Sequence, residues 1–162
     1  MQTIVTATGT QITLLHGLKH SFDDKPAVIY ANGQLEWYQH GKRHRDPGPA
    51  VICDWYQAWY LNGLRHRVDA PAVIYNDGDN VWYLFGKRHR SGGLPAANYS
   101  DYKEYYEHGL LHRLTGPASV SPKFIGWCLR GKLHNESGPA ITHLSPSGEI
   151  IKTEHWINGI HK

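Results

Sequence analysis

The chain has 162 residues, enough for one domain, and its 17 Lys and Arg against 14 Asp and Glu leave a net charge of +3 with neutral His. That is too mild to announce a general nucleic-acid binder. No stretch approaches roughly 18 apolar residues, and Met1 to Leu15 lacks a basic start followed by a long apolar core, so neither a membrane span nor a signal peptide is expected. The 10 Tyr and 6 Trp supply flat side chains with polar tips, suited to a thin sheet with partly wet faces.

Residues 1–15 hold two short β-like runs, Thr3-Ile4-Val5-Thr6 and Gln11-Ile12-Thr13-Leu14-Leu15, separated by Gly9-Thr10. They predict an opening hairpin that caps the rest of the array. Residues 16–141 then repeat one phrase six times. Its fullest copy is Trp37-Tyr38-x-x-Gly41-x-x-His44-Arg45 with Gly48-Pro49-Ala50-Val51-Ile52 after it. The key glycines fall at 17, 41, 63, 86, 109, 131 and 159, a period of roughly 23 residues with one stretched final interval.

Each copy carries an apolar run after Pro-Ala, such as Ala27-Val28-Ile29-Tyr30, and a second before the key glycine, such as Leu35-Glu36-Trp37-Tyr38. Both are too short for helices and rich in β-formers. Between them lie turn sequences, Asn32-Gly33, Asn76-Asp77-Gly78-Asp79 and Ser145-Pro146-Ser147-Gly148, in which Gly and Asn supply positive φ. One β-hairpin per unit is therefore expected, with Gly-x-x-His-Arg-x-x-Gly-Pro as a longer fixed connection. The predicted fold is all-β: an elongated antiparallel single-layer sheet of about six to seven stacked hairpins. The only trace of a helical pattern is at Asp101 to His108, and Ala97-Asn98 in place of Val-Ile reads as a bulge or break. Residues 142–162 diverge, with Thr142 to Glu154 expected to form an extended hairpin or protrusion before a truncated last copy at Trp156, Gly159 and His161.

The two cysteines, Cys53 and Cys128, lie three units apart. At about 10 Å per unit they cannot approach to disulfide distance, so free thiols and a reducing compartment are expected.

The histidine column His20, His44, His66, His89, His112 and His134 is the first candidate for chemistry. Neighbours about 10 Å apart cannot share a metal ion, whose His ligands lie about 2.0 to 2.1 Å from it. The expected role is packing beside the aromatics and bonding a neighbouring turn; direct ligand contact is the alternative. Arg45, Arg67, Arg90 and Arg113, with Lys42, Arg43, Arg65, Lys87 and Arg88, should form a basic stripe able to hold an acidic protein face, phosphates or single-stranded nucleic acid. The structural alternative stacks these arginines on the Trp or Tyr of the adjacent unit and pairs them with Asp46, Asp69 or Glu136. Trp37, Trp59, Trp82, Tyr105 and Trp127 are expected in the core, with the partner of each aromatic pair facing outward. No G-x-S-x-G, phosphate-cradling loop, H-E-x-x-H or C-x-x-C is present, so no enzyme, cofactor or metal is expected.

The aromatic-x-x-x-Gly-x-x-His phrase resembles the MORN repeat family, and more closely its YwqK-type antitoxin variants. Its His-Arg-x-x-Gly-Pro-Ala extension is similar to repeat proteins of tailed phages and giant viruses. The resemblance spans residues 16–161 and rests on the aromatics, the key glycines and the histidine column. It implies hairpins packed into a twisted sheet that binds proteins or lipids. The function expected on this basis is that of a non-catalytic viral protein, cytoplasmic in the infected cell, that binds and inhibits a host protein such as a component of bacterial immunity. The alternatives are a binder of a nucleotide, nucleic acid or lipid phosphate through the basic stripe, and an antitoxin by analogy. A membrane partner is not expected, and exposed edge strands offer a route to a homodimer.

Overall fold

The computed structural model describes residues 1–162 as strands and turns with no helix. Residues 101–108, the one place with a helical trace, form the strands Lys103–Glu104 and Tyr106–Glu107. The chain divides into two compact units, Met1–Gly86 and Lys87–Lys162.

In each unit the main-sheet strands succeed one another in hairpin order, all antiparallel, and the last does not return to the first. In the first unit, direct cross-strand neighbours run Ile12, Val28, Glu36, Val51, Ala58, Val73 and Val81. On the opposite face the row is Gln11, Ile29, Leu35, Ile52, Gln57, Ile74 and Asn80. The first row is buried from Val28 to Val81, and the second is open to solvent to varying degrees. This is the period-two alternation of a sheet covered on one side.

The cover is a second kind of hairpin, formed where the sequence predicts only a long connection. The run Leu35 to Tyr38 is bent at Trp37, so Leu35–Glu36 belongs to the main sheet while Tyr38–Gln39 pairs with Lys42–Arg43. Tyr60–Leu61 with Leu64–Arg65 repeats the arrangement. The second unit does so with Tyr106–Glu107 and Leu110–Leu111, and with Cys128–Leu129 and Lys132–Leu133. Each key glycine is thus the second central residue of a two-residue turn, and both central residues have positive φ: 47° and 79° at His40-Gly41, 50° and 89° at Asn62-Gly63. This is the type I′ geometry whose twist matches the flanking strands.

A backbone hydrogen bond locks each side hairpin to its predecessor. The Gly41 N–H donates to the Lys19 carbonyl, Gly63 to Arg43 and Gly86 to Arg65; in the second unit Gly109 donates to Arg88 and Gly131 to Leu111, all at 2.8 Å. The side hairpin then lays Tyr38 against Val28 and Ala27 in the core. Main-sheet turns are simpler than expected: Gly33, Gly78 and Gly148 carry positive φ, but Asn32 and Asn76 do not.

The second unit departs chiefly in composition, and its main-sheet register stays regular up to the last hairpin. Ala97–Asn98 pairs with Lys103–Glu104 without a shift, so no break occurs there. The covered row reads Ala97, Glu104, Ser119, Gly126 and Ile141. Thr142 to Glu154 lies in an extended hairpin, Ile141–Leu144 with Ile150–Glu154, whose register shifts between His143 and Leu144. The opening hairpin, Gln2–Val5 with Gln11–Leu15, forms as predicted. Both cysteines are free. No helix is long and apolar enough to cross a membrane.

Candidate functional site

The histidine column is built into the side-hairpin turns. In the first unit Nδ1 of His20 accepts the backbone N–H of His40 at 3.2 Å, His44 that of Asn62 at 3.2 Å and His66 that of Phe85 at 3.3 Å. In the second unit His89, His112 and His134 accept from His108, Arg130 and Asn158 at 3.2, 3.1 and 3.2 Å. An accepting Nδ1 places the proton of the neutral ring on Nε2, where His112 faces Glu107 at 3.3 Å and His89 meets the Ser91 hydroxyl at 3.2 Å. The rings also stack on the next turn, His66 on Phe85 with centroids 4.1 Å apart and His89 on His108 at 4.4 Å. Burial, and then the neighbouring His40 or His108, hold His20 and His89 below the usual imidazole range. No group of three or more metal-ligating side chains is assembled.

The arginines after these histidines serve the connection that carries them. Arg45, Arg67, Arg90 and Arg113 each donate from Nη1 to a proline carbonyl, of Pro49, Pro71, Pro95 and Pro117, at 3.2 to 3.3 Å. Asn135 performs the same task for Pro139 at 3.0 Å. Arg45 lies over Trp37 at 3.9 Å, and Arg67 over Trp59 and Arg113 over Tyr105 at 3.8 Å, each on an aromatic of its own copy. Arg43, Arg65 and Arg88 instead lie over Tyr60, Tyr83 and Tyr106 of the adjacent copy at 5.6, 5.3 and 5.2 Å, as the structural alternative expects. The acidic partner is Asp24, which takes two bonds from Arg45 at 2.8 and 2.7 Å, in place of the expected Asp46. That contact holds the Asp24 carboxyl below its ordinary range.

Arg43, Arg65 and Arg88 turn into the layer between side hairpin and main sheet. Glu36, fully buried, accepts from Tyr38 Oη at 2.6 Å, Arg43 Nη2 at 2.7 Å and Gln34 Nε2 at 2.9 Å. Burial alone would raise its pKa, but the Tyr38 and Arg43 bonds outweigh it and the carboxyl is held low. Arg65 donates to the hydroxyls of Tyr60 and Tyr83 at 3.1 and 3.3 Å, and Arg88 to Glu104 and Tyr106 at 3.0 and 3.3 Å. Seven of the nine residues predicted to form a basic stripe therefore make bonds inside the protein. Lys42 and Lys87 are exposed.

The aromatic pairs do not expose one partner. Trp37 and Tyr38 are both buried, because the bend at Trp37 tucks its indole under Arg45 and lets Nε1 donate to the Asp24 carbonyl at 2.9 Å. The most exposed aromatics sit in turns instead, Trp55 and Phe85 at 76% and 56%. Trp127 is half-buried in the second unit, where its backbone N–H donates to Ala140.

The side hairpins expose a ridge that is not among the sequence-predicted sites. The residue after each key glycine lies over the key glycine of the next copy: a Cβ at Gly41 would stand 3.5 Å from Leu18, at Gly63 3.6 Å from Lys42 and at Gly86 3.3 Å from Leu64. In the second unit Lys87, Leu110 and Lys132 lie over Gly109, Gly131 and Gly159 in the same way. Leu18, Leu64 and Leu110 are each about half exposed, between 49% and 51%. The signal that marks the ridge in the sequence is the alternation Leu, Lys, Leu, Lys one residue past each glycine. Beside the ridge, successive His-Arg connections leave shallow clefts, of ≈ 350 Å³ between Trp37 and His44 and ≈ 510 Å³ between Trp59 and Arg67. No protein-family model matches the chain, and comparison with curated proteins finds no match.

Proposed function

We propose that the protein is a non-catalytic repeat scaffold that grips a partner protein along the side-hairpin ridge. The observation that carries this is the exposed alternation of leucine and lysine over a floor of glycines, with Leu18, Lys42 and Leu64 in the first unit. Apolar anchors beside a cation suit a partner segment that mixes apolar and acidic residues. The inhibitory and viral part of the reading, binding and blocking a host protein, is supported by the likeness of the His-Arg-x-x-Gly-Pro-Ala phrase to phage and giant-virus repeat proteins.

An anionic ligand is the second reading, and the internal bonds of the seven arginines favour it less. Affinity capture from host lysate with wild type and with the Leu18→Glu/Leu64→Glu double variant tests the proposal. A near-stoichiometric partner retained by wild type and lost from the variant, with unchanged circular dichroism, is the expected result. A partner indifferent to both substitutions, or none at all, contradicts it. Binding of a nucleotide or phosphate that falls steeply with salt would favour the second reading.

A further inference from the structure

The covered row of the second unit carries smaller side chains than the first at Ala97, Ser119 and Gly126. After Pro-Ala the first unit carries Val28, Val51 and Val73, whereas the second carries Ala97, Ser119 and Ile141; on the paired strands the first unit carries Glu36, Ala58 and Val81, and the second Glu104 and Gly126, so the local loss of volume falls at Ser119 and its partner Gly126. A pocket of ≈ 420 Å³ opens there. That is a size suited to a small molecule. Ser119 lines it although only 3% of the residue is exposed.

The walls are held in place before any ligand arrives. On one side Tyr102 stacks on Tyr99, with centroids 4.3 Å apart and planes within 20°. On the other side the Phe124 ring leans over Gly126, where a Cβ would stand 3.5 Å from the ring edge. The turn bearing Phe124 is pinned by Ser121, whose hydroxyl oxygen accepts the N–H groups of Lys123 and Phe124 at 3.3 and 3.1 Å. Arg88 and Tyr106 orient the Glu104 carboxylate from behind. Asp101 and Lys123 complete the lining.

The charges balance: Asp101 and Glu104 against Lys123 and the Arg88 that bonds Glu104. A net anion or cation gains little from such a site, whereas hydroxyl groups can donate to the carboxylates and accept from Ser119 and Lys123. The two aromatic walls offer apolar faces to C–H groups between those hydroxyls. We infer that this pocket binds a neutral polyhydroxylated small molecule, a mono- or disaccharide in class.

Titration of the full chain with a panel of neutral mono- and disaccharides, monitored by amide chemical shifts, tests this, with choline and inorganic phosphate as charged probes. Saturable shifts confined to residues 101–104 and 119–124 and their immediate neighbours are expected with a sugar. They should weaken at least about tenfold in Phe124→Ala and vanish in Ser119→Val, which restores the valine of the first unit and keeps the fold. No shift with any sugar at millimolar concentration, a response to choline or phosphate instead, or undiminished binding by Ser119→Val would each overturn the inference.

Discussion

The two units repeat the same kinds of hairpin, in matching register up to the shift between His143 and Leu144, but fill them differently. In the first, Val28, Val51, Ala58, Val73 and Val81 form a buried row with one fully buried carboxylate, Glu36, between Val28 and Val51. In the second the row carries Ala97, Ser119 and Gly126, and Ser119 and Glu104 border a pocket. Backbone pairing and turn locking therefore specify the scaffold, while a single row of inward side chains decides whether a copy is solid or hollow. Removing volume from that row costs packing energy, which a repeat scaffold can tolerate when its neighbours remain intact.

The sharpest contrast lies between the two carboxylates. Glu36→Ala removes a fully buried acceptor from Tyr38 and Arg43 and should cost about 3 kcal/mol, whereas Glu104→Ala, at a partly exposed carboxylate, should cost about 1 kcal/mol. Urea denaturation of the full chain measures both, and equal losses would erase the distinction between the units. Exchanging the row residues comes next. Val51→Ser should destabilise by about 2 kcal/mol, while Ser119→Val should stabilise by up to about 1 kcal/mol. The opposite signs are the point.

A third contrast uses one substitution at two glycines. Gly63→Ala must hold φ near +89° against the Lys42 stem, at a cost of about 1 to 2 kcal/mol. Gly126→Ala has no such φ and would meet Phe124 at ordinary contact distance, so thermal stability should hardly change.

The smallest effect is common to both units. Because His20 and His89 are held below their unfolded values, the unfolded chain binds protons first as pH falls. The stability they contribute is present above about pH 6.5 and is lost as pH falls through the depressed values, levelling off below them. Substituting either residue by Gln should flatten the thermal-melting profile over that window.

The main-sheet hairpin is legible in the sequence because its period and its Pro-Ala-Val-Ile and Asn-Gly signals are local. The side hairpin is not, because the position before the key glycine holds His40, Phe85, His108 and Arg130, and none of these announces a type I′ turn. Only Asn62-Gly63 and Asn158-Gly159 carry the favoured pair, and those two copies are where the turn can be read from residues alone. Repeat reasoning reaches the histidines' partners, since each ring bonds the turn of the next copy. It does not reach the arginines' partners, since proline carbonyls four or five residues ahead leave no mark in composition. The hollow row of the second unit shows in the sequence as lost valines, yet the same loss predicts a broken strand, because sequence alone cannot separate lost volume from lost pairing.

Everything rests on each side hairpin being bonded to the one before it. Amide hydrogen exchange at Gly41, Gly63, Gly86, Gly109 and Gly131, all solvent-exposed turn residues, tests this most directly. Exchange slowed at least about tenfold relative to an unstructured chain at all five is the predicted result. Exchange at the unprotected rate would mean that the glycines merely turn the chain and that the copies are not locked together.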